Sequence, residues 1–206
     1  MTAVKICGLT QEADAALAVS LGAVALGFVL WPKSPRHVEL SRVKMIVSTL
    51  PPFVTPVGVF VDPTETEIAN AASAGIRLAQ IHGQLPPALP LPVLRAVHLG
   101  GNADGLDAEV GPLEPVLLDA HDPVLRGGTG RTIDWTRAAA VAARRRVVLA
   151  GGLTPGNVHQ AITEVCPYAV DVSSGVESSP GIKDPALMKA FFAAAQTPGT
   201  KGTHGT

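Results

Sequence analysis

The sequence predicts an α/β fold, a single (β/α)8 barrel, from three observations. Eight short apolar, β-rich runs recur along the chain, and several lead into helical patterns rather than two-residue hairpin turns, the alternation of a parallel sheet covered on its outer face. The 206 residues, 47% of them hydrophobic, fit one domain with a substantial core. Small-residue loops follow the seventh and eighth runs, the pair of positions that commonly holds phosphate in closed barrels. Periodicity alone leaves an open doubly wound sheet as the alternative, and the paired loops favour closure.

The first strand is read at Val4–Cys7, and the helix after it carries Ala13, Ala16, Leu17 and Leu21 on one stripe, the spacing of a buried helical face. The second and third strands fall at Ala25–Leu30 and Pro56–Val61. Thr64 with Glu67 then forms a capping box that starts the next helix. The fourth and fifth strands are Leu78–His82 and Val93–Leu99. Between them Gln84–Pro92 carries four prolines, and Gly100–Pro115 is rich in glycine and acidic residues, so the helices after strands four and five are predicted to be short or missing. Strands six to eight are Val116–Leu118, Val147–Ala150 and Ala169–Val172. Thr154-Pro155 and Asp184-Pro185 each put a cap residue before a proline at a first helical position. The barrel is assigned to residues 1–196. Residues 197–206, polar and without periodicity, are predicted to be a disordered tail.

Composition narrows the function classes. Sixteen basic against 17 acidic residues give no electrostatic footprint for nucleic acid or an anionic membrane. An anionic ligand must therefore be held by local chemistry. The two cysteines, Cys7 and Cys166, lie in neither a CxxC nor a Cys/His ligand spacing, which argues against a disulfide framework or a zinc site. The N-terminus enters a strand-like segment without an apolar signal region, and the longest near-apolar run, Leu21–Trp31, is too short to span a bilayer. A cytoplasmic protein is expected, a monomer rather than an oligomer.

Four stretches carry candidate chemistry. Cys7 ends the first strand, where barrel enzymes place reactive side chains, although free cysteine is often an ordinary packed thiol. Lys5 shares its alternation, as Gln80 does that of His82; all four suit the barrel interior, and each pair is equally compatible with core hydrogen bonding. Asp119, directly after an apolar strand, is the best acid candidate, and a loop cap or an ion pair is the structural alternative. Asp122 and Asp134 lie outside that strand and are weaker candidates. Ala150-Gly151-Gly152-Leu153-Thr154 and Asp171-Val172-Ser173-Ser174-Gly175 are loops whose glycines let backbone N–H groups reach phosphate oxygens, or simply make tight turns. Gly127–Gly130 lacks nucleotide-loop order and reads as a lid. Pro32 and Pro35 stiffen the loop bearing Arg36, which could be a fixed fork for a carboxylate or a solvated charge. Arg144-Arg145-Arg146 ends a helix, where cations meet the macrodipole.

Taken in order, KICGLT from Lys5, the SPR loop at Ser34–Arg36, GVFV at Gly58–Val61, QIHG at Gln80–Gly83, LLDA ending at Ala120, GGTG, AGGLTPGNV and DVSSGVE resemble the phosphoribosylanthranilate isomerase family. The matches extend to Asp184 and are specific as a set. The resemblance implies a (β/α)8 barrel of tryptophan biosynthesis that performs an Amadori rearrangement, with no cofactor and no metal. It implies that Cys7 is the general base and Asp119 the general acid, with Lys5 helping Cys7 to be an accessible thiolate. Arg36 would bind the anthranilate carboxylate, Asp171 would orient a polar group of the substrate, and Gly152, Ser173, Ser174 and Gly175 would hold phosphate. The loop around Gly128 would close over the ribose. The partner implied is one phosphorylated small molecule. A histidine-pathway aminoimidazole isomerase, whose base is expected to be a carboxylate, and a degenerate ligand-binding barrel are the rival readings.

Overall fold

The computed structural model describes residues 2–98, 114–119 and 134–197. The Gly127–Gly130 loop with Gly128, the segment after the fifth strand, Asp122 and all but Thr197 of the tail lie outside the described residues. Eight parallel strands close into a barrel in chain order: β1 (Ala3–Ile6), β2 (Ala25–Val29), β3 (Thr55–Val61), β4 (Leu78–His82), β5 (Val93–His98), β6 (Val116–Asp119), β7 (Val147–Leu149) and β8 (Ala169–Val172). Closure is made by β1, whose Lys5 stands in register with Ala25 of β2 on one side and with Asp171 of β8 on the other.

Helices α1 (Glu12–Ser20), α2 (Leu40–Ser48), α3 (Glu65–Ser73), α4 (Trp135–Ala142), α5 (Val158–Val165) and α6 (Pro185–Gln196) cover the outside. Residues 83–92, joining β4 to β5, contain no helix. Outward-facing strand residues such as Ile6, Phe28, Ile81 and Leu149 pack with Ala18, Ile46, Ile68, Val141 and Phe191 of the helices in the main core. The alternate residues Leu94, Ala96, Leu117 and Ala150, with Leu78 and Val148 against them, form a second cluster inside the barrel. Strand side chains alternate between faces. Gln80, His82, His98, Asp119 and Asp171 are therefore also on the interior face, and the last residues of β4, β5 and β6 stand at its C-terminal mouth.

Two local expectations are corrected. The buried face of α1 is Asp14, Ala15 and Ala18, while Ala13 and Ala16 are exposed. An alanine-rich helix offers nearly the same apolar surface on every side. What selects the face is Asp14, whose carboxylate accepts the Lys183 N–H at 3.0 Å. The helix after β7 begins at Val158 rather than at Pro155. Asn157 explains the delay: its Oδ1 accepts the Thr154 N–H at 2.8 Å and its Nδ2 donates to the Gly152 carbonyl at 2.9 Å, so the turn is spent on holding the glycine loop. The other starts agree with the sequence. Thr64 and Glu67 form a reciprocal capping box on α3, and Asp184 accepts from the N–H groups of Ala186 and Leu187 on α6. Asp134 caps α4 by accepting the Arg137 N–H, which gives it a structural role.

Candidate active site

Cys7 lies one residue past β1, and its N–H still donates to the Val172 carbonyl of β8 at 2.8 Å. The side chain is 7% exposed, yet its surroundings are not hydrocarbon. Lys5, one interior step below, is buried and donates to Asp171 Oδ2 at 2.9 Å. Gly27 of β2 leaves the space for both groups: a Cβ there would lie 2.8 Å from Cys7 Sγ and 3.1 Å from Lys5 Nζ. Burial pushes the Cys7 thiol above its ordinary pKa, and the Asp171 charge adds to that. The cations Lys5 and Lys183 pull it back. For Lys5, burial favours the neutral amine, but the charges of Asp171 and Cys7 outweigh it and raise its pKa. The second oxygen of Asp171, Oδ1, is buried and has no hydrogen-bond partner among the described residues, so this carboxylate keeps an acceptor facing the interior.

The loops after β7 and β8 meet beside this group. Gly151 and Gly152 both adopt left-handed backbone, with φ of 85° and 67°, a conformation that disfavours side chains. After β8 the chain makes a short 3-10 turn over Ser174–Val176. Gly175 is packed so tightly against the β7 loop that a Cβ would overlap the Leu153 carbonyl. Ser173 Oγ is buried without a hydrogen-bond partner among the described residues, while Ser174 is exposed. Gly175→Ala is therefore expected to push the two loops apart, lowering stability by about 1–3 kcal/mol and weakening the affinity for inorganic phosphate; urea unfolding with phosphate titration measures both, and wild-type values for the variant would exclude a joint anion cradle.

Arg36 reaches this group from the loop after β2. Its stem passes over Gly8, where a Cβ would lie 2.7 Å from Arg36 Cδ and 2.9 Å from Ser173 Oγ. Its Nε donates to Glu177 Oε1 at 3.0 Å and its Nη2 to Oε2 at 2.7 Å. Lys183 Nζ bonds the same carboxylate at 2.8 Å. Glu177 follows the 3-10 turn in a small antiparallel hairpin, β9 (Glu177–Ser179) with β10 (Ile182–Lys183). The sequence assigns neither Glu177 nor Lys183 a role, although Glu177 ends the stretch DVSSGVE and Lys183 lies just before Asp184, where the matches end.

On the far side of the mouth Asp119 stands in register with His98, three strands from β1 round the barrel. Gln80 Nε2 is 3.0 Å from His82 Nε2, and the His82 and His98 rings have centroids 6.4 Å apart. The fold thus brings Cys7, Arg36, Asp119, Asp171 and the loop residues Gly152, Ser173, Ser174 and Gly175 to one end of the barrel. Among the described residues no group of three or more His, Cys, Asp or Glu side chains is placed to hold a metal ion, and no described helix is long and apolar enough to cross a membrane.

A thiol and a carboxylate on one rim, with paired glycine loops and an anchored arginine beside the thiol, make this a (β/α)8 barrel with candidate acid–base groups at its C-terminal mouth. The family model described as N-(5'phosphoribosyl)anthranilate (PRA) isomerase matches residues 4–194. The N-(5'-phosphoribosyl)anthranilate isomerase of Citrifermentans bemidjiense is 46% identical over 203 residues, 95% of this chain and 98% of the relative. The crystal structure of phosphoribosyl anthranilate isomerase from Thermotoga maritima superposes with a TM-score of 0.86 at 42% identity, covering 95% of this chain and 98% of that one. A phosphoribosyl anthranilate isomerase in complex with reduced 1-(o-carboxyphenylamino)-1-deoxyribulose 5-phosphate gives a TM-score of 0.82 at 40% identity, with 95% and 98% covered. The chain belongs to the N-(5'-phosphoribosyl)anthranilate isomerase family.

Proposed function

We propose that this isomerase converts N-(5'-phosphoribosyl)anthranilate to 1-(2-carboxyphenylamino)-1-deoxyribulose 5-phosphate with Asp119 as general acid and Cys7 as general base. Asp119 gives a proton to the furanose ring oxygen, the bond from that oxygen to C1' breaks, and the anthranilate nitrogen takes up the positive charge as an iminium. The Cys7 thiolate then removes the proton from C2', and the electron pair moves to neutralise the iminium, giving an enolamine. Tautomerisation yields the ketone. Atoms and charge balance without an oxidant, so the rearrangement needs only one acid and one base near the same ribose.

The observation that carries this reading is the buried Lys5–Asp171 pair directly beneath Cys7. A lysine held charged there offsets the thiolate, a form that burial alone would suppress. Asp171 Oδ1, buried and unpartnered, is available to a hydroxyl of the substrate. Gly152, Ser173, Ser174 and Gly175 hold the phosphate through main-chain donors and the Ser173 hydroxyl. Arg36 binds the anthranilate carboxylate. A cytoplasmic monomer that needs no cofactor is part of the same reading.

The test is turnover of freshly generated N-(5'-phosphoribosyl)anthranilate, followed as loss of anthranilate-type fluorescence. Folded protein without turnover would sink the assignment. Asp119→Asn is expected to lower kcat about 10²–10⁴-fold, since the amide cannot supply the proton that opens the ring. A near-wild-type rate in this variant would move the acid role to another group at the mouth.

A further inference from the structure

We infer that Glu177 is the positioning residue of Arg36 and that Lys183 keeps the carboxylate site positive, so that the β9–β10 hairpin sets affinity for the substrate's carboxylate. The inference rests on the reading of Arg36 as the carboxylate ligand and adds two residues to it.

A guanidinium carries five N–H donors in a planar fork. Glu177 takes the Nε edge, with bonds of 3.0 and 3.1 Å from Nε and 2.7 Å from Nη2. That leaves the Nη1 group and the outer Nη2 hydrogen for a ligand. The clamp fixes the plane in which they point, which a flexible arginine would otherwise lose entropy to adopt. The clamp is itself braced. The Glu177 side chain is 4% exposed, and its Oε1 also accepts from Lys183 Nζ at 2.8 Å and from the Gly181 N–H at 3.3 Å. Lys183 Nζ donates further to the Ser173 carbonyl at 3.2 Å. The hairpin is tied to the β1–α1 connection through Thr10 Oγ1, which donates to the Gly181 carbonyl at 2.6 Å, and through the bond from the Lys183 N–H to Asp14.

Charge explains why the lysine is there. Arg36 with Glu177 alone would be a neutral pair in which the protein's carboxylate competes with the ligand's. Burial lowers the Lys183 pKa and the Glu177 carboxylate opposes that; with its ammonium charged, the fully buried side chain gives the trio one net positive charge, which an incoming carboxylate neutralises. Arg36 and Lys183 in turn hold Glu177 ionised below the ordinary glutamate range against the effect of burial.

The test uses two unreactive ligands, the reduced product 1-(2-carboxyphenylamino)-1-deoxyribitol 5-phosphate and the same compound without its carboxyl group. Wild type is expected to prefer the first. Glu177→Gln places an amide against two cations and is expected to weaken the carboxylated ligand roughly tenfold while leaving the carboxyl-free one within about twofold, and to raise KM for substrate by a similar factor with kcat little changed. Because Glu177→Gln also raises the net charge of the trio, which by itself favours a carboxylate, Glu177→Gln/Lys183→Met, which returns that charge to one, is measured beside it, with the same selective loss expected from the lost clamp. Equal weakening of both ligands in both variants would reduce the hairpin to a structural role and overturn the inference. If Arg36→Ala fails to abolish the wild-type preference, the carboxylate reading of Arg36 fails and the inference with it. Absent turnover is a separate result that strikes the proposed reaction, since these bindings are read directly.

Discussion

Cys7→Ala is expected to lower kcat about 10²–10⁴-fold with little change in fold or in affinity for the reduced product. The substitution removes one sulfur from a site so close to β2 that a Cβ on Gly27 would lie 2.8 Å from it, so the packing loss is small and the chemical loss dominates. In the wild type, burial raises the thiol pKa more than Lys5 and Lys183 lower it. A raised pKa makes the thiolate the minority form at neutral pH, and its fraction grows tenfold per pH unit until the pKa is reached. The Cys7 limb of kcat/KM should therefore climb toward the alkaline side, superimposed on the opposite limb that the general acid gives, and comparison of the variants separates the two. Cys7→Asp moves the base to a carboxylate, ionised throughout that range, and should flatten the climb even where the rate is low. Stopped assays across pH on the three proteins make the comparison. Near-wild-type turnover by Cys7→Ala would remove the thiol from the mechanism, and a Cys7→Asp profile identical in shape to the wild type's would do so as well.

Most of what positions this site is written in local sequence. A parallel strand buried on both faces is a short apolar run, so all eight could be read. A polar residue at the end of such a run, such as Cys7 or Asp119, stands out because it interrupts the pattern at the mouth. Helix α1 was less legible because alanine satisfies a buried and an exposed position alike; its face was chosen by the bond from Lys183 to Asp14, 169 residues apart. The same reason hid Glu177. Its partner Arg36 lies 141 residues away, and nothing in the spacing of either stretch announces the pair. Arg36 itself was visible through the prolines that stiffen its loop, but the clamp that orients it belongs to tertiary structure. Asp171 shows the intermediate case. Its place on β8 followed from the β-rich run Ala169–Val172, whereas its ion pair with Lys5 arises only when β8 closes against β1.

That closure makes Lys5 the most exposed to a single change. Lys5→Met leaves the Asp171 carboxylate buried without a hydrogen-bond partner among the described residues, since Oδ1 already has none and Oδ2 loses the 2.9 Å ammonium. Removing one member of a buried pair typically costs about 3–5 kcal/mol, and a loss of that size is expected in urea unfolding. Lys5→Met/Asp171→Asn, which removes both charges, should recover most of it. The folded-state pKa of Lys5 lies above its unfolded value, so the ion pair contributes its full stability below about pH 10.4 and loses it as pH rises through the higher folded value; the alkaline decline should be shallower in the double variant. The kinetic consequence runs the same way. Lys5 lowers the Cys7 pKa, and without it the rise in kcat/KM should move to higher pH. A Lys5→Met protein of unchanged stability would mean that the pair contributes nothing net, whereas an unstable protein with an unshifted pH profile would confine Lys5 to holding β1 against β8 and leave the thiol to be activated by Lys183 alone.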